Sequence, residues 1–138
     1  MSRQKEEQLR EEGLGLHLAR RLAAEGGEIV IADNFFRAKK DSDLESLLSQ
    51  GGVSLVEADL TERSEWTKLG GGFDRVYHLA SINGTKLFYE MPHEVLRVGL
   101  SSVLHALDWF VKDNGKKDAK ILYASSNEAY AGGLLAFN

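Results

Sequence analysis

The sequence contains no cysteine. That excludes disulfides and thiolate metal sites, and it fits a reducing compartment. No apolar run approaches the roughly twenty residues that span a bilayer, and the opening MSRQKEEQLREEG has no apolar core and so is no secretory signal. Positive charge is not in excess either. Seventeen Lys and Arg stand against 21 Asp and Glu, a formal net charge of −4, so nothing favours nucleic acid or an anionic membrane surface. Repeats and low-complexity linkers are absent. His17, His78, His93 and His105 lack metal-ligand partners in the pattern, so no metal site is expected; His78, inside an apolar run, reads as a hydrogen-bonded core residue, and the other three read as surface or packing residues. With no secretory signal, Asn83-Gly84-Thr85 reads as an ordinary loop rather than a glycosylation site.

What is present is an alternation of apolar runs and helical patterns in 138 residues, enough for one domain with a sizeable core. Leu14, Leu18 and Leu22 recur at helical spacing up to Ala24, and Gly26-Gly27 ends that helix. Strands are expected over residues 28–33, 53–59, 75–80 and 120–124. Helices are expected over residues 41–50, from Thr61 as cap to Leu69, and from about Glu94 to Lys112. Trp66, Trp109 and Phe110 fall at helical spacing with aliphatics and read as core or interface. Strands spaced by helices imply a parallel sheet. A doubly wound nucleotide-binding sheet opens on a strand, whereas this chain opens on a highly charged segment, solvated helix or disorder, over residues 1–12.

Chemistry-bearing residues gather where these strands should end. The run Ile121-Leu122-Tyr123-Ala124 leads into Ser125-Ser126-Asn127-Glu128-Ala129-Tyr130. In open α/β sheets, ligands bind beyond the carboxyl ends of the strands. Gly13-Leu14-Gly15 at the first helix reads either as a place where backbone approaches a pyrophosphate or as a flexible helix start. Asp33 could accept hydrogen bonds from both adenosine ribose hydroxyls or be a solvated loop acid. Asp59, followed by Leu60, could face an adenine or simply cap a helix.

Four segments in order make these ambiguities converge: GLHLARRLAAEGGEIVIADNFF, VEADLTE, VYHLAS and ILYASSNEAYAG. Together they resemble the extended short-chain dehydrogenase/reductase family of NAD-dependent nucleotide-sugar epimerases, dehydratases and decarboxylases, across Gly13 to Gly132. The resemblance implies an α/β fold: an incomplete Rossmann-like, doubly wound parallel sheet lacking the first strand, with four strands and flanking helices. It implies a charged segment at residues 1–12 and a partial NAD-binding domain at 13–138. It implies that Gly15 matches the last glycine of the phosphate loop, and that Asp33 matches the ribose-binding acid and favours NAD over NADP. Asn34 and Arg37 would lie along the adenosine, Asp59 and Leu60 would flank adenine, and Leu79, Ala80 and Ser81 would pass under the pyrophosphate and nicotinamide ribose. Ser126 matches the catalytic hydroxyl that binds the sugar being oxidised. Glu128 matches a glutamate that the dehydratases and decarboxylases place beside the sugar. Asn127 stands where hexose dehydratases often have aspartate, and DNFF followed by basic residues loosely resembles the UDP-glucuronate decarboxylase branch.

The departures from the family pattern set the remaining expectations. Leu9 and Glu12 stand where the family's glycine loop has glycine, and Val98 stands where its long helix has a cofactor-contacting asparagine. Tyr130 has no lysine four residues on, so it is not the tyrosine of the family's Y-x-x-x-K, which lies downstream of the fifth strand. The expectation is therefore a truncated cofactor-binding domain, inactive alone, with NAD binding weak or absent. The nucleotide-sugar substrate belongs to intact relatives, no nucleic acid or membrane partner is expected, a homodimer is left open, and the location is cytoplasmic. The alternative is a non-catalytic interaction or regulatory module that reuses the fold. A fragment without an independent role is a third reading. For the sheet, the expectation is that the place of the absent first strand is closed, by direct pairing of the Ile29 and Val76 strands or by a partner chain.

Overall fold

The computed structural model describes residues 3–35, 42–80 and 85–125. Four strands are present: β1 (Ile29–Asp33), β2 (Val53–Glu57), β3 (Arg75–His78) and β4 (Lys120–Tyr123). They alternate with α1 (Arg3–Ala24), α2 (Ser42–Ser49), a 3₁₀ helix (Arg63–Leu69), α3 (Thr85–Glu90) and α4 (Pro92–Lys112). This is an α/β architecture, a partial Rossmann-like arrangement of parallel strands and flanking helices.

The charged opening segment is helical. α1 begins at Arg3, not at the Gly13-Leu14-Gly15 triplet, and breaks at Gly13, whose φ of 73° and ψ of 152° lie outside the helical region. A glycine there is required, because a Cβ would make that conformation costly.

β1 pairs with β2, in register from Ile29 opposite Val53 to Asp33 opposite Glu57. β3 pairs with β4, from Arg75 opposite Lys120 to His78 opposite Tyr123. Both ladders are parallel. The expected closure by direct pairing of β1 with β3 does not occur: among the described residues there are two separate two-stranded sheets. The buried residues fall into two clusters that follow this division. Ala19, Leu47 and Val53 bury one cluster, with Leu16, Ile29 and Ile31 packed on it. Trp66, Ala106 and Trp109 bury a second, with Leu60, Phe73, Val76 and Ile121 packed on it. The clusters share no residue, so each ladder is anchored by its own helices.

The expected tryptophan core is present. Trp66 and Trp109 lie 5.5 Å apart, centroid to centroid, and each indole N–H is satisfied: Trp66 donates to the Leu60 carbonyl at 3.0 Å and Trp109 to the Gly70 carbonyl at 2.9 Å.

Strands end earlier than the apolar patterns suggest, at Glu57 rather than Asp59 and at His78 rather than Ala80. Thr61 does not cap the helix that follows. That helix is 3₁₀, its N-cap position is Glu62, and no side chain caps it. The reason is local competition, since the Asp59 carboxylate takes both the N–H and the hydroxyl of Thr61. α3 has no counterpart in the expected elements.

Candidate functional site

The site is built from the carboxyl ends of β1 and β2. Asp33 closes β1, and its Oδ1 accepts the Phe35 N–H at 2.7 Å across a tight turn. That turn puts Phe35 at φ 55°. No other hydrogen bond of this carboxylate occurs among the described residues, so its second oxygen has no protein donor there. The Asp33 carbonyl accepts the Ala58 N–H at 3.1 Å, which extends the ladder by one bond and fixes the Ala58-Asp59 segment beside the Asp33 turn. Ala58 is buried. An open depression of about 330 Å³ results, lined by Asn34, Glu57, Ala58, Asp59, Glu65 and Lys68.

Asp59 Oδ1 accepts the Thr61 N–H at 2.9 Å and the Thr61 hydroxyl at 2.6 Å. The hydroxyl bond, then the N–H bond, hold the Asp59 carboxyl below the usual carboxylate range; burial opposes this, and the more distant charge of Arg97 adds to it. Asp59 is therefore an anion at neutral pH. The depression presents three carboxylates and one ammonium. Lys68 is paired with Glu65 on the same 3₁₀ helix.

The remaining candidates separate into groups. Gly15 sits where α1 resumes after its break, and a Cβ placed on it would lie 3.9 Å from the Leu79 Cδ1 just past β3. That is ordinary contact distance, so packing against the described residues does not require glycine at 15. Leu79 is half-buried and Ala80 is exposed. Leu60 turns inward onto the tryptophan cluster, and its carbonyl is taken by Trp66. Arg37, Ser81, Ser126 and Glu128 lie outside the described residues. Asn34 and Asp59 thus line one depression, Asp33 adjoins it through its backbone bond to Ala58, and Gly15 and Leu79 meet elsewhere.

His78 departs from the expected hydrogen-bonded core histidine. It is buried and its ring lies 5.6 Å from that of Tyr123, yet neither ring nitrogen has a hydrogen-bond partner among the described residues. Burial pushes its pKa below the ordinary value, against an opposing effect of its own backbone and that of Ser102.

Glu57, Glu65 and Lys68 line the depression and were not legible as site residues in the sequence. The first reads as one of several exposed strand positions, and the other two read as the polar face of a helix. Among the described residues no cluster of three His, Asp or Glu side chains is arranged to hold a metal ion, and no helix is long and apolar enough to cross a membrane.

Parallel strands whose carboxyl ends gather acids around an open depression place these side chains at the rim where open α/β sheets take their ligands. The chain belongs to the NAD dependent epimerase/dehydratase family, whose model matches residues 13–134. It is 29% identical over 125 residues to a UDP-N-acetyl-alpha-D-glucosaminuronate decarboxylase of Bacillus cytotoxicus, covering 91% of this chain and 37% of that protein. It is 31% identical over 124 residues to UDP-glucuronic acid decarboxylase 3 of Arabidopsis thaliana, covering 88% of this chain and 33% of that protein. It is also 29% identical over 117 residues to UDP-glucuronic acid decarboxylase 1 of Danio rerio, covering 85% and 26% respectively. The chain therefore spans between about a quarter and somewhat over a third of the length of these relatives.

Proposed function

We propose that this chain is the cofactor-binding part of an NAD-dependent enzyme acting on a nucleotide sugar, and that by itself it binds NAD weakly and does not turn over. Asn34 and Asp59 in one depression, with Asp33 ending β1 beside them and its carbonyl bonded to Ala58, carry this reading, because a ribose and an adenine offer the hydroxyl and amino donors that such carboxylates accept. In this assignment Asp33 holds the ribose through its free oxygen, Asn34 and Arg37 lie along the adenosine, and the Asp59-Leu60 segment flanks adenine. Gly15 gives the backbone access to the phosphates, and Leu79, Ala80 and Ser81 lie beneath the nicotinamide half. NAD, when bound, accepts and returns a hydride. Ser126 would donate a hydrogen bond to the sugar hydroxyl being oxidised, and Glu128 would position or protonate the sugar. The decarboxylases among the relatives favour a uronic-acid sugar nucleotide as the substrate class of the intact enzyme.

Residues 13–138 form the cofactor-binding unit in this proposal, with residues 1–12 outside it, and a cytoplasmic location suits the reading. The helical course of residues 3–12 favours the alternative, a non-catalytic module that reuses the fold, because a phosphate cradle is normally fed by a strand and turn. A titration with NAD followed by amide chemical shifts separates the two. Perturbations centred on Asp33, Asn34 and Asp59, with a dissociation constant well above the micromolar range, are expected. Shifts scattered elsewhere, or none at millimolar NAD, would exclude the cofactor assignment.

A further inference from the structure

The turn after β2 is held through its backbone. Ala58 donates to the Asp33 carbonyl at 3.1 Å, and Glu62 donates to the Asp59 carbonyl at 3.0 Å. The Leu60 carbonyl accepts the Trp66 indole N–H at 3.0 Å, and Trp66 is buried in the tryptophan cluster. The last of these bonds ties the turn to the core. The side chains of Asp59 and Thr61 take part in none of them.

The Asp59 side chain is set separately. Asp59 is half-buried, and its two torsions are not locked by packing alone. No cation pairs with it among the described residues. Lys68, which lines the same depression, is taken by Glu65, and Arg97 is taken by Glu94. What holds the carboxylate is Thr61. Both donors of that residue converge on one oxygen, the N–H on Oδ1 at 2.9 Å and the hydroxyl on Oδ1 at 2.6 Å. Hydrogen bonds to an ionised acceptor are short and among the stronger ones. Oδ2 is left with no donor among the described residues. Asp59 lines the depression and Thr61 does not, so the threonine reaches the depression through the aspartate.

We propose that Thr61 is a positioning residue for the purine of the cofactor, an inference that rests on the assignment of Asp59 to adenine above. Thr61 anchors the carboxylate through Oδ1 and keeps Oδ2 as an anionic acceptor for the exocyclic amino group. An acceptor already held by the protein has little freedom left to lose when the ligand arrives, whereas a swinging carboxylate must be ordered at the expense of affinity. The effect is confined to the amino group, because that is the only N–H donor on an adenine substituted at N9.

Amide-shift titrations of the full chain with NAD, and with the analogue whose purine lacks the 6-amino group, test this. The wild type should bind NAD about tenfold more tightly than the analogue, as expected for one hydrogen bond to a charged acceptor. Thr61→Val keeps the N–H and removes the hydroxyl. It should bring that ratio to about threefold or less while affinity for the analogue stays unchanged, and Thr61→Ser should restore the ratio. Thr61→Ala, without a branched side chain, carries the same expectation and keeps the test decisive if valine distorts the turn. Asp59→Ala should abolish the preference, and adding Thr61→Val to it should change nothing further. A threonine that merely supports the fold would weaken both ligands alike and leave the ratio where it was. A ratio that survives Thr61→Val and Thr61→Ala but not Asp59→Ala overturns the proposal and leaves Asp59 at the purine. A wild type with no preference, or with no binding at millimolar NAD, overturns the adenine assignment and the proposal with it.

Discussion

Asn114 and Phe73 are joined by a reciprocal pair of hydrogen bonds: the Asn114 Oδ1 accepts the Phe73 N–H at 2.8 Å, and the Asn114 Nδ2 donates to the Phe73 carbonyl at 2.9 Å. The Asn114 side chain is buried, and its own carbonyl accepts the Gly72 N–H. One amide past the C-terminus of α4 therefore holds the chain just before β3. It determines where β3 begins, and with it where Leu79 and Ala80 emerge.

Replacing Asn114→Ala should cost about 1–3 kcal/mol, since two part-buried backbone groups lose their partners. Asn114→Asp should cost a similar amount, because a carboxylate cannot donate to the Phe73 carbonyl. Urea unfolding of the variants checks this. A loss below about 0.5 kcal/mol would mean that water replaces the amide.

Three glycines should answer differently to alanine. At Gly71 a Cβ would fall 2.5 Å from the Asp113 carbonyl oxygen, a backbone atom that cannot swing aside, so Gly71→Ala should destabilise by about 1–3 kcal/mol. At Gly13 the cost is conformational, about 1–2 kcal/mol. At Gly15 there is room, so Gly15→Ala should leave thermal stability unchanged and affect only cofactor binding. A large stability loss at Gly15 would make it a packing residue.

Asp33 serves a turn and, in the proposed function, a ribose. Asp33→Asn keeps an oxygen to accept the Phe35 N–H while removing the charge; Asp33→Ala removes both. Stability should fall by about 0.5–1.5 kcal/mol for alanine and by less for asparagine. NAD shift perturbations should weaken in both, and the preference over NADP should narrow because the repulsion of a 2′-phosphate is gone. Unchanged cofactor discrimination in Asp33→Asn would remove Asp33 from the ribose role.

Acid should destabilise the fold in two windows. The His78 pKa is lowered by burial, so the unfolded chain binds its proton first. The contribution of His78 is full above its ordinary 6.5 and is lost as pH falls below that toward the lowered value. His78→Phe keeps a ring against Tyr123 and should flatten the stability profile between about pH 7 and 5. The Asp59 carboxyl is lowered mainly by the Thr61 hydroxyl, so its contribution is present above its ordinary 3.8 and is lost as pH falls through the lowered value. In Thr61→Val, carbon-detected titration should place the Asp59 carboxyl closer to that ordinary value. Parallel profiles for wild type and His78→Phe would show that His78 does not titrate with unfolding.

The sequence by itself determined the order and kind of the long elements, because periodicity records which faces are buried. Leu44 and Leu47 on α2, the apolar runs of β1 and β3, and Trp66 and Trp109 as core all follow from side-chain spacing. It also determined that Asp33 closes its strand and that Asp59 follows closely on the next, and hence that both lie near the rim of the parallel strands. Only the tertiary structure decided which rim residues meet. Lys68 lines the Asp59 depression from the 3₁₀ helix that follows β2, a helix type that side-chain spacing did not reveal. The division into two ladders was likewise invisible to local pattern, since strand pairing depends on contacts between segments far apart in sequence. The His78 ring, without a hydrogen-bond partner among the described residues, and the buried Asn114 belong to the same class: each is an ordinary polar residue in the sequence, and only packing fixes what its polar atoms can reach.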